Sequence, residues 1–216
     1  MTWLARISLD YETVSRLHVR NCYDWHKKAW EFFPGRPKGH PRPFLFRAIE
    51  KDDVCDFWIM CHEEPTKPVW AKNLYWKANA IKEGFPFHHR YLFDLLANPT
   101  RRDKERDAWN GRAPKHRRFN LKTPEEHEAW LVRKSEEHGF RIANDSGNRL
   151  LVDFDPRRDY TFTYRDRAPG NHVGTRYRGV LEVIDREKFA LAYKYGIGSA
   201  KSFGFGLLLL APNTIN

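Results

Sequence analysis

The apolar residues of this chain change spacing in a set order, and they do so twice. WLARISLD (3–10) alternates with the period of two that half-buries a strand. Residues 14–33 then place Val14, Cys22, Trp25, Ala29 and Phe32 on one face at helical spacing, which predicts a single amphipathic helix. FLFRAIE (44–50) and DFWIMCHE (56–63) return to strand character around the polar turn Lys51-Asp52-Asp53. LYWKANAI (74–81) and RYLFDLLAN (90–98) continue it, with a second helix only faintly marked near 68–73.

The second half repeats the order with sharper punctuation. Thr123-Pro124-Glu125-Glu126 is a capping box: Thr123 caps the N3 amide, Pro124 fits N1 and Glu126 reaches back. The helix EEHEAWLVRKSEEHGF stops near Gly139, and RLLVDFD, YTFTYR and GVLEVID follow as strands. DREKFALAYKYG reads as a helix and FGLLLLAP as a closing strand. Strand–helix–strand–strand–helix–strand, twice, predicts an α+β protein of two tandem ferredoxin-like (βαββαβ) domains with antiparallel sheets. The expected boundaries are 1–98 for the N-terminal domain, 99–118 for a basic Gly- and Pro-containing linker, and 119–216 for the C-terminal domain.

Composition narrows the function. At 216 residues, 41% of them hydrophobic, the chain is long enough to bury a substantial core. No run of 18 apolar residues offers a membrane span, and the charged N-terminus does not read as a signal peptide. The three cysteines, Cys22, Cys55 and Cys61, form no CxxC pair and read as free thiols of a cytoplasmic protein. No His/Cys/Asp/Glu cluster has metal-ligand spacing, so neither a metal nor another cofactor is expected.

The net charge of +10 favours an anionic partner, and its distribution favours nucleic acid over membrane. Residues 101–118 carry eight Lys/Arg against three acids, with Arg101, Arg102, Lys115, Arg117 and Arg118 as phosphate-contact candidates. Residues 157–178 carry six Arg against two acids. There Arg157, Arg158, Arg165, Arg167, Arg176 and Arg178 interleave with tyrosines on a strand–turn–strand, a ribbon suited to phosphate and groove.

YGIGSAKSFGFGLLLLAP (195–212) sets Gly196, Gly198, Gly204 and Gly206 around Lys201 and Ser202. It lacks the glycine that a Walker A loop needs before Lys201. A dinucleotide-binding loop fails too, because its sixth position is Lys201 and a strand follows. KSFGFGLL matches an RNA-recognition RNP1 pattern at Lys201, Phe203, Gly204 and Phe205 but misses it at Ser202, Gly206 and Leu208. What remains is a helix-to-strand loop whose backbone amides are able to approach phosphate closely.

This segment resembles the G-rich loop of the CRISPR-associated RNA-processing endoribonucleases of the CasE type, the nuclease subunit of the type I-E Cascade complex. NCYDWHKKAWEFFPGRP (21–37), LLANPTRR (95–102) and LKTPEEHEAWLVRKSEEHGFRI (121–142) support the resemblance in the family's order, across both halves. It implies binding of a CRISPR repeat RNA hairpin, metal-independent cleavage at the base of its stem, and a crRNA product often retained beside other Cascade subunits. It further implies that His26 and Tyr23, one turn apart on the first helix, are the active-site pair. RNA cleaves itself when a 2′-OH attacks the adjacent phosphorus, which needs a base, an acid and positive charge. His26 suits either proton role and Tyr23 an orienting or secondary donor role. Lys27, Lys28 and Lys201 are the candidate cations, while Glu31 would repel phosphate. His18, on the predicted buried stripe, reads as structural. Two rival readings are an RNA-hairpin-binding subunit without catalysis and a basic scaffold subunit.

Overall fold

The computed structural model describes residues 1–37, 39–72, 74–82, 85, 88–102, 118–163 and 169–213. β1 (Trp3–Asp10) lies inside a first antiparallel sheet between β3 (Val54–Cys61) and β4 (Tyr75–Ala80), with β2 (Phe44–Glu50) beyond β3. Its alternation turns Ala5, Ile7 and Leu9 inward. They pack with Phe46, Phe57 and Ile59 against Trp25, Ala29 and Phe32. The second helix of this half is reduced to a 3-10 turn at Val69–Ala71.

The single helix predicted over 14–33 is two helices, α1 (Tyr11–Arg16) and α2 (Cys22–Trp30). Capping overrides periodicity here: the Asn21 side chain accepts from the amides of Tyr23 and Asp24, starting a new helix. His18 falls in the break with φ of +52° and is exposed, so it is not the buried structural histidine the stripe predicts. Trp25, Ala29 and Phe32 are buried as expected, whereas Val14 and Cys22 are half-buried.

β5 (Arg90–Ala97) departs from the expected boundary. It was grouped with the first half, 1–98, yet pairs with β11 (Gly170–Val183) on one edge and β12 (Leu208–Pro212) on the other. Tyr91, Phe93 and Leu95 accordingly join the second core. The far edge of β11 receives β10 (Arg158–Phe162), β9 (Val152–Phe154) and β8 (Phe140–Ile142) in turn. α3 (Pro124–Glu137) begins at the expected capping box and α4 (Arg186–Tyr195) ends at Gly196. Within RLLVDFD and FGLLLLAP the strands span 152–154 and 208–212, with Leu150 adding an isolated bridge to Asn144.

The segment read as a linker is inside the second half rather than between the halves. β6 (Thr100–Arg102) pairs with β7 (Arg118–Asn120) across residues 103–117, which lie outside the described residues. Leu45 and Met60 of the first sheet join the second core, fastening the halves together. Arg47 on β2 adds a polar bridge to Asp94 on β5 at 2.8 Å. The three cysteines are free thiols, and among the described residues no helix is long and apolar enough to cross a membrane.

Candidate active site

α2 carries the Tyr23–His26 pair on the flank of its buried stripe, as the helical spacing requires. The two rings stack at 6.1 Å with a 21° interplanar angle. Phe44 and Phe46 of β2 each stand 6.1 Å from the His26 ring, so the imidazole is held in an aromatic enclosure. Trp30, one turn on, donates its indole N–H to His26 Nε2 at 3.1 Å. An indole N–H only donates, so Nε2 is bare and the neutral ring carries its hydrogen on Nδ1. That Nδ1 is buried and without a partner among the described residues. Burial, reinforced by the charge of Arg42, lowers the His26 pKa to about 4. The ring is therefore neutral at neutral pH.

The candidate cations are already engaged. Lys27 is exposed and pairs with Asp24 at 2.7 Å, its ammonium 5.3 Å from the Tyr23 ring. Lys28 pairs with Glu31 at 2.9 Å, which neutralises the carboxylate expected to repel phosphate. Lys201 donates to the carbonyls of Tyr195 and Gly196 at 2.8 and 2.7 Å, closing the end of α4. Arg42 is different, and sequence reading missed it. It has no ion-pair partner among the described residues, its Nη1 is buried and unpartnered, and burial lowers its pKa. Its only local signal, an arginine between Pro41 and Pro43, does not announce a role.

The glycine-rich loop folds over this helix. Its 3-10 turn, Lys201–Phe203, lies against both α2 and β2. A Cβ at Gly204 would meet the Phe46 ring at 3.3 Å, and one at Gly198 the Trp130 ring at 3.4 Å. Gly196 has φ of 77° and ψ of 164°, a region glycine alone adopts readily, and a Cβ there would lie 2.7 Å from the Gly206 carbonyl. The Gly206 amide donates to Leu96 at 2.8 Å and its carbonyl accepts from Ile197 at 2.9 Å. Ser202 is exposed at the tip of the turn.

β10 and β11 form the expected strand–turn–strand, and its turn end packs against the loop. Phe203 lies 4.3 Å from the Phe162 ring on β10 and 4.6 Å from the His172 ring on β11. Arg157 and Arg158 are exposed, Arg158 with a long contact of 3.7 Å to Glu50 and its guanidinium 6.0 Å from the Tyr160 ring. Arg178 is exposed but turned back onto Asp155 at 2.7 Å. Arg176 is drawn inward, donating to Asp94 at 2.6 and 3.0 Å. Arg165 and Arg167 lie outside the described residues, as do Lys115 and Arg117. Arg101 on β6 contacts Glu126 at 3.4 Å, Arg102 shares that strand, and Arg118 is exposed on β7.

Between the ribbon, β2 and the start of α2 runs a cleft of about 440 Å³ lined in part by Arg20, Arg47, Arg158, Tyr160 and Arg176. Burial would push the Asp94 carboxyl up, but hydrogen bonds from Arg176 and the charge of Arg47 hold it below the usual carboxylate range. Asp94 thus neutralises the innermost arginines, while Arg20 and Arg158 share the lining with Glu50, Asp155 and Asp159 and make long ion pairs, of 3.9 Å to Asp24 and 3.7 Å to Glu50.

A family model described as CRISPR associated protein matches residues 2–212. The CRISPR-associated endoribonuclease Cse3 of Thermus thermophilus is 27% identical over 232 residues, spanning 97% of this chain and 100% of that one. The CRISPR system Cascade subunit CasE of Escherichia coli is 29% identical over 207 residues, spanning 92% of this chain and 96% of that one. A solved structure of the CRISPR endoribonuclease Cse3 bound to a 19-nucleotide RNA shares the fold. Its TM-score is 0.78 at 24% identity, with 97% of this chain and 100% of that chain covered. The likeness runs through both halves, as the resemblance read from the motifs requires.

Proposed function

The chain belongs to the CRISPR-associated protein family, and from that premise we propose that it is an endoribonuclease that cuts CRISPR repeat RNA at the base of its stem-loop, without a metal, to give mature crRNA. The observation that carries this reading is His26: neutral, enclosed by aromatic rings, with a buried unpartnered nitrogen beside Tyr23 and under the glycine-rich loop. The strand orders support two ferredoxin-like units. The first sheet runs β4-β1-β3-β2, and in the second β12-β5-β11 is followed by β8, β9 and β10, the same pattern. The unit boundary then falls between β4 and β5, and the basic segment 99–118 is an insertion in the second unit.

In the reaction the 2′-OH attacks the neighbouring phosphorus and the P–O5′ bond breaks, leaving a 2′,3′-cyclic phosphate and a 5′-OH. His26, neutral at rest, takes the 2′-OH proton at Nε2, exchanging the Trp30 indole for the hydroxyl. Tyr23 gives a proton to the departing 5′-oxygen. The proton on His26 returns to Tyr23 through solvent, so nothing is consumed. A positioned proton carrier of this kind contributes about 10²–10⁴-fold in rate. Arg157, Arg158 and the rest of the ribbon hold the stem, while Arg101, Arg102 and Arg118 contact phosphates. Gly196, Gly198, Gly204 and Gly206, with Lys201 and Ser202, let the loop backbone lie beside the cut strand. The names of the relatives support RNA and other Cascade subunits as partners.

The test is cleavage of the host's repeat hairpin in EDTA by native protein and by His26→Ala, alongside an RNA that is 2′-deoxy at the nucleotide before the cut. Native protein should cut only the ribose substrate, and the variant should bind it yet cut at least about 10²-fold more slowly. Binding without cutting by both proteins would make the chain a hairpin reader instead.

A further inference from the structure

We propose that Arg42 is a catalytic residue of this reaction, its guanidinium contacting the non-bridging oxygens of the scissile phosphate and stabilising the phosphorane. The inference rests on the reading of the preceding section and supplies the positive charge that reading needs.

Lys27, Lys28, Lys201 and Arg42 stand near the Tyr23–His26 pair or the loop above it, and the three lysines are committed to other partners. Lys27 holds Asp24, Lys28 holds Glu31, and Lys201 holds the last carbonyls of α4. Withdrawing any of them from these contacts costs hydrogen bonds. Arg42 gives up nothing. Its guanidinium lies over the Phe44 ring, 5.8 Å from the centroid, and Phe44 is also a wall of the His26 enclosure. Phe44 therefore lies against both the Arg42 guanidinium and the His26 imidazole. The chain holds Arg42 in place from both sides. Pro41 and Pro43 restrict the backbone around it, and the Pro43 carbonyl accepts from the His62 amide at 3.2 Å immediately before β2 begins.

A guanidinium kept from solvent without an anion is unfavourable unless a ligand supplies one. Arg42 is partly in that condition: the side chain is half-buried and its Nη1 is buried and bare among the described residues, as is His26 Nδ1. Donors fixed in advance act on developing charge without reorganising, which is why such groups weigh heavily in catalysis. A guanidinium, with its planar fork, also matches two phosphate oxygens better than an ammonium does. The Arg42 charge reaches both His26 and Lys201, after burial the leading charge that depresses the proton affinity of each. A phosphate seated on Arg42 would cancel that charge and let His26 accept a proton more readily, coupling substrate binding to the base.

The experiment compares native protein, Arg42→Ala, Arg42→Lys and His26→Ala in single-turnover cleavage of the repeat hairpin, with affinity measured on the 2′-deoxy RNA and folding by thermal melting. Arg42→Ala should cut about 10²–10³-fold more slowly while binding the deoxy RNA within about tenfold of native, since one phosphate contact among many is lost. Arg42→Lys should recover part of the rate. Free guanidinium ion, well below denaturing concentration, should restore cleavage to Arg42→Ala but none to His26→Ala, which a merely structural arginine would not show. If Arg42→Ala cuts like native while His26→Ala is dead, Arg42 is not the cation and the nuclease reading stands. If Arg42→Ala is slow only because it melts early or loses the RNA, and Arg42→Lys and guanidinium restore nothing, the inference is overturned as well. A native protein that binds and never cuts sinks both.

Discussion

Asp94→Ala is expected to be among the most damaging single changes to stability in this fold, because it strands a cation that cannot leave. Arg47 is 3% exposed, enclosed where the two sheets meet, and it pairs with the Asp94 carboxylate at 2.8 Å and the Asp94 carbonyl at 3.3 Å. Removing the carboxylate leaves the guanidinium with one poor contact in a medium that disfavours charge. Breaking a buried pair in this way costs about 3–5 kcal/mol. Arg176, the other partner, is 32% exposed and turns to water, adding at most about 1 kcal/mol. For a chain of this size each kcal/mol lowers Tm by about 2–4 °C, so a fall of roughly 6–20 °C is expected. Urea unfolding at pH 7 gives the free energy directly. The decisive comparison is the double variant Asp94→Ala with Arg47→Met, which removes the stranded charge and should regain most of the loss. A cost below about 1 kcal/mol for Asp94→Ala, or a double variant no more stable than the single one, would refute the reasoning. Acid offers a second check. The Asp94 carboxyl has a lowered pKa when folded, so its contribution is complete above the ordinary aspartate value and is lost as pH falls through the lowered one. Asp94→Ala should lack that part of the acid sensitivity.

His26 should also show in stability, with titration over a higher range. Its pKa is about 4 in the fold against 6.5 for a free side chain, so between those values the unfolded chain binds a proton that the folded one refuses. Stability should fall as pH drops from about 6.5 to 4, and His26→Phe should remove about 1 kcal/mol of the native protein's loss between pH 7.5 and 5, after discounting for the ring's partial exposure. Gly196→Ala should cost about 2 kcal/mol or more, because the added carbon meets the Gly206 carbonyl and Leu45 within 2.8 Å in a backbone region of high cost. Gly35→Ala, also at positive φ but with nothing within 4 Å, should cost only about 1 kcal/mol, and equal losses in urea titrations would discredit the packing argument.

What could be read from the residues divides by range. The capping box at Thr123 and the placing of Tyr23 and His26 on one helix flank are local facts, settled by spacing and side-chain chemistry within a turn or two. The break at Asn21 was equally local, yet the apolar stripe masked it because both patterns occupy the same residues. The sheet to which β5 belongs was not legible at all: RYLFDLLA declares a strand, but its partners lie across long stretches of chain in β11 and β12. Arg47 looks in the sequence like one polar position of an alternating strand, and only the second sheet packed over it makes it buried. Arg42 was overlooked for the opposite reason. Its importance lies in lacking a partner, and a missing contact leaves no pattern in a sequence.

The stack of Phe162, His172 and Phe203 has a mechanical meaning. It bolts the arginine ribbon to the glycine loop, so a duplex seated on one and a strand lying along the other, as proposed above, would be held by a single jaw. On the function proposed above, such a jaw would work as a caliper. The place of the cut would then be measured off from the end of the helix it grips, with no need to read the bases at the severed bond.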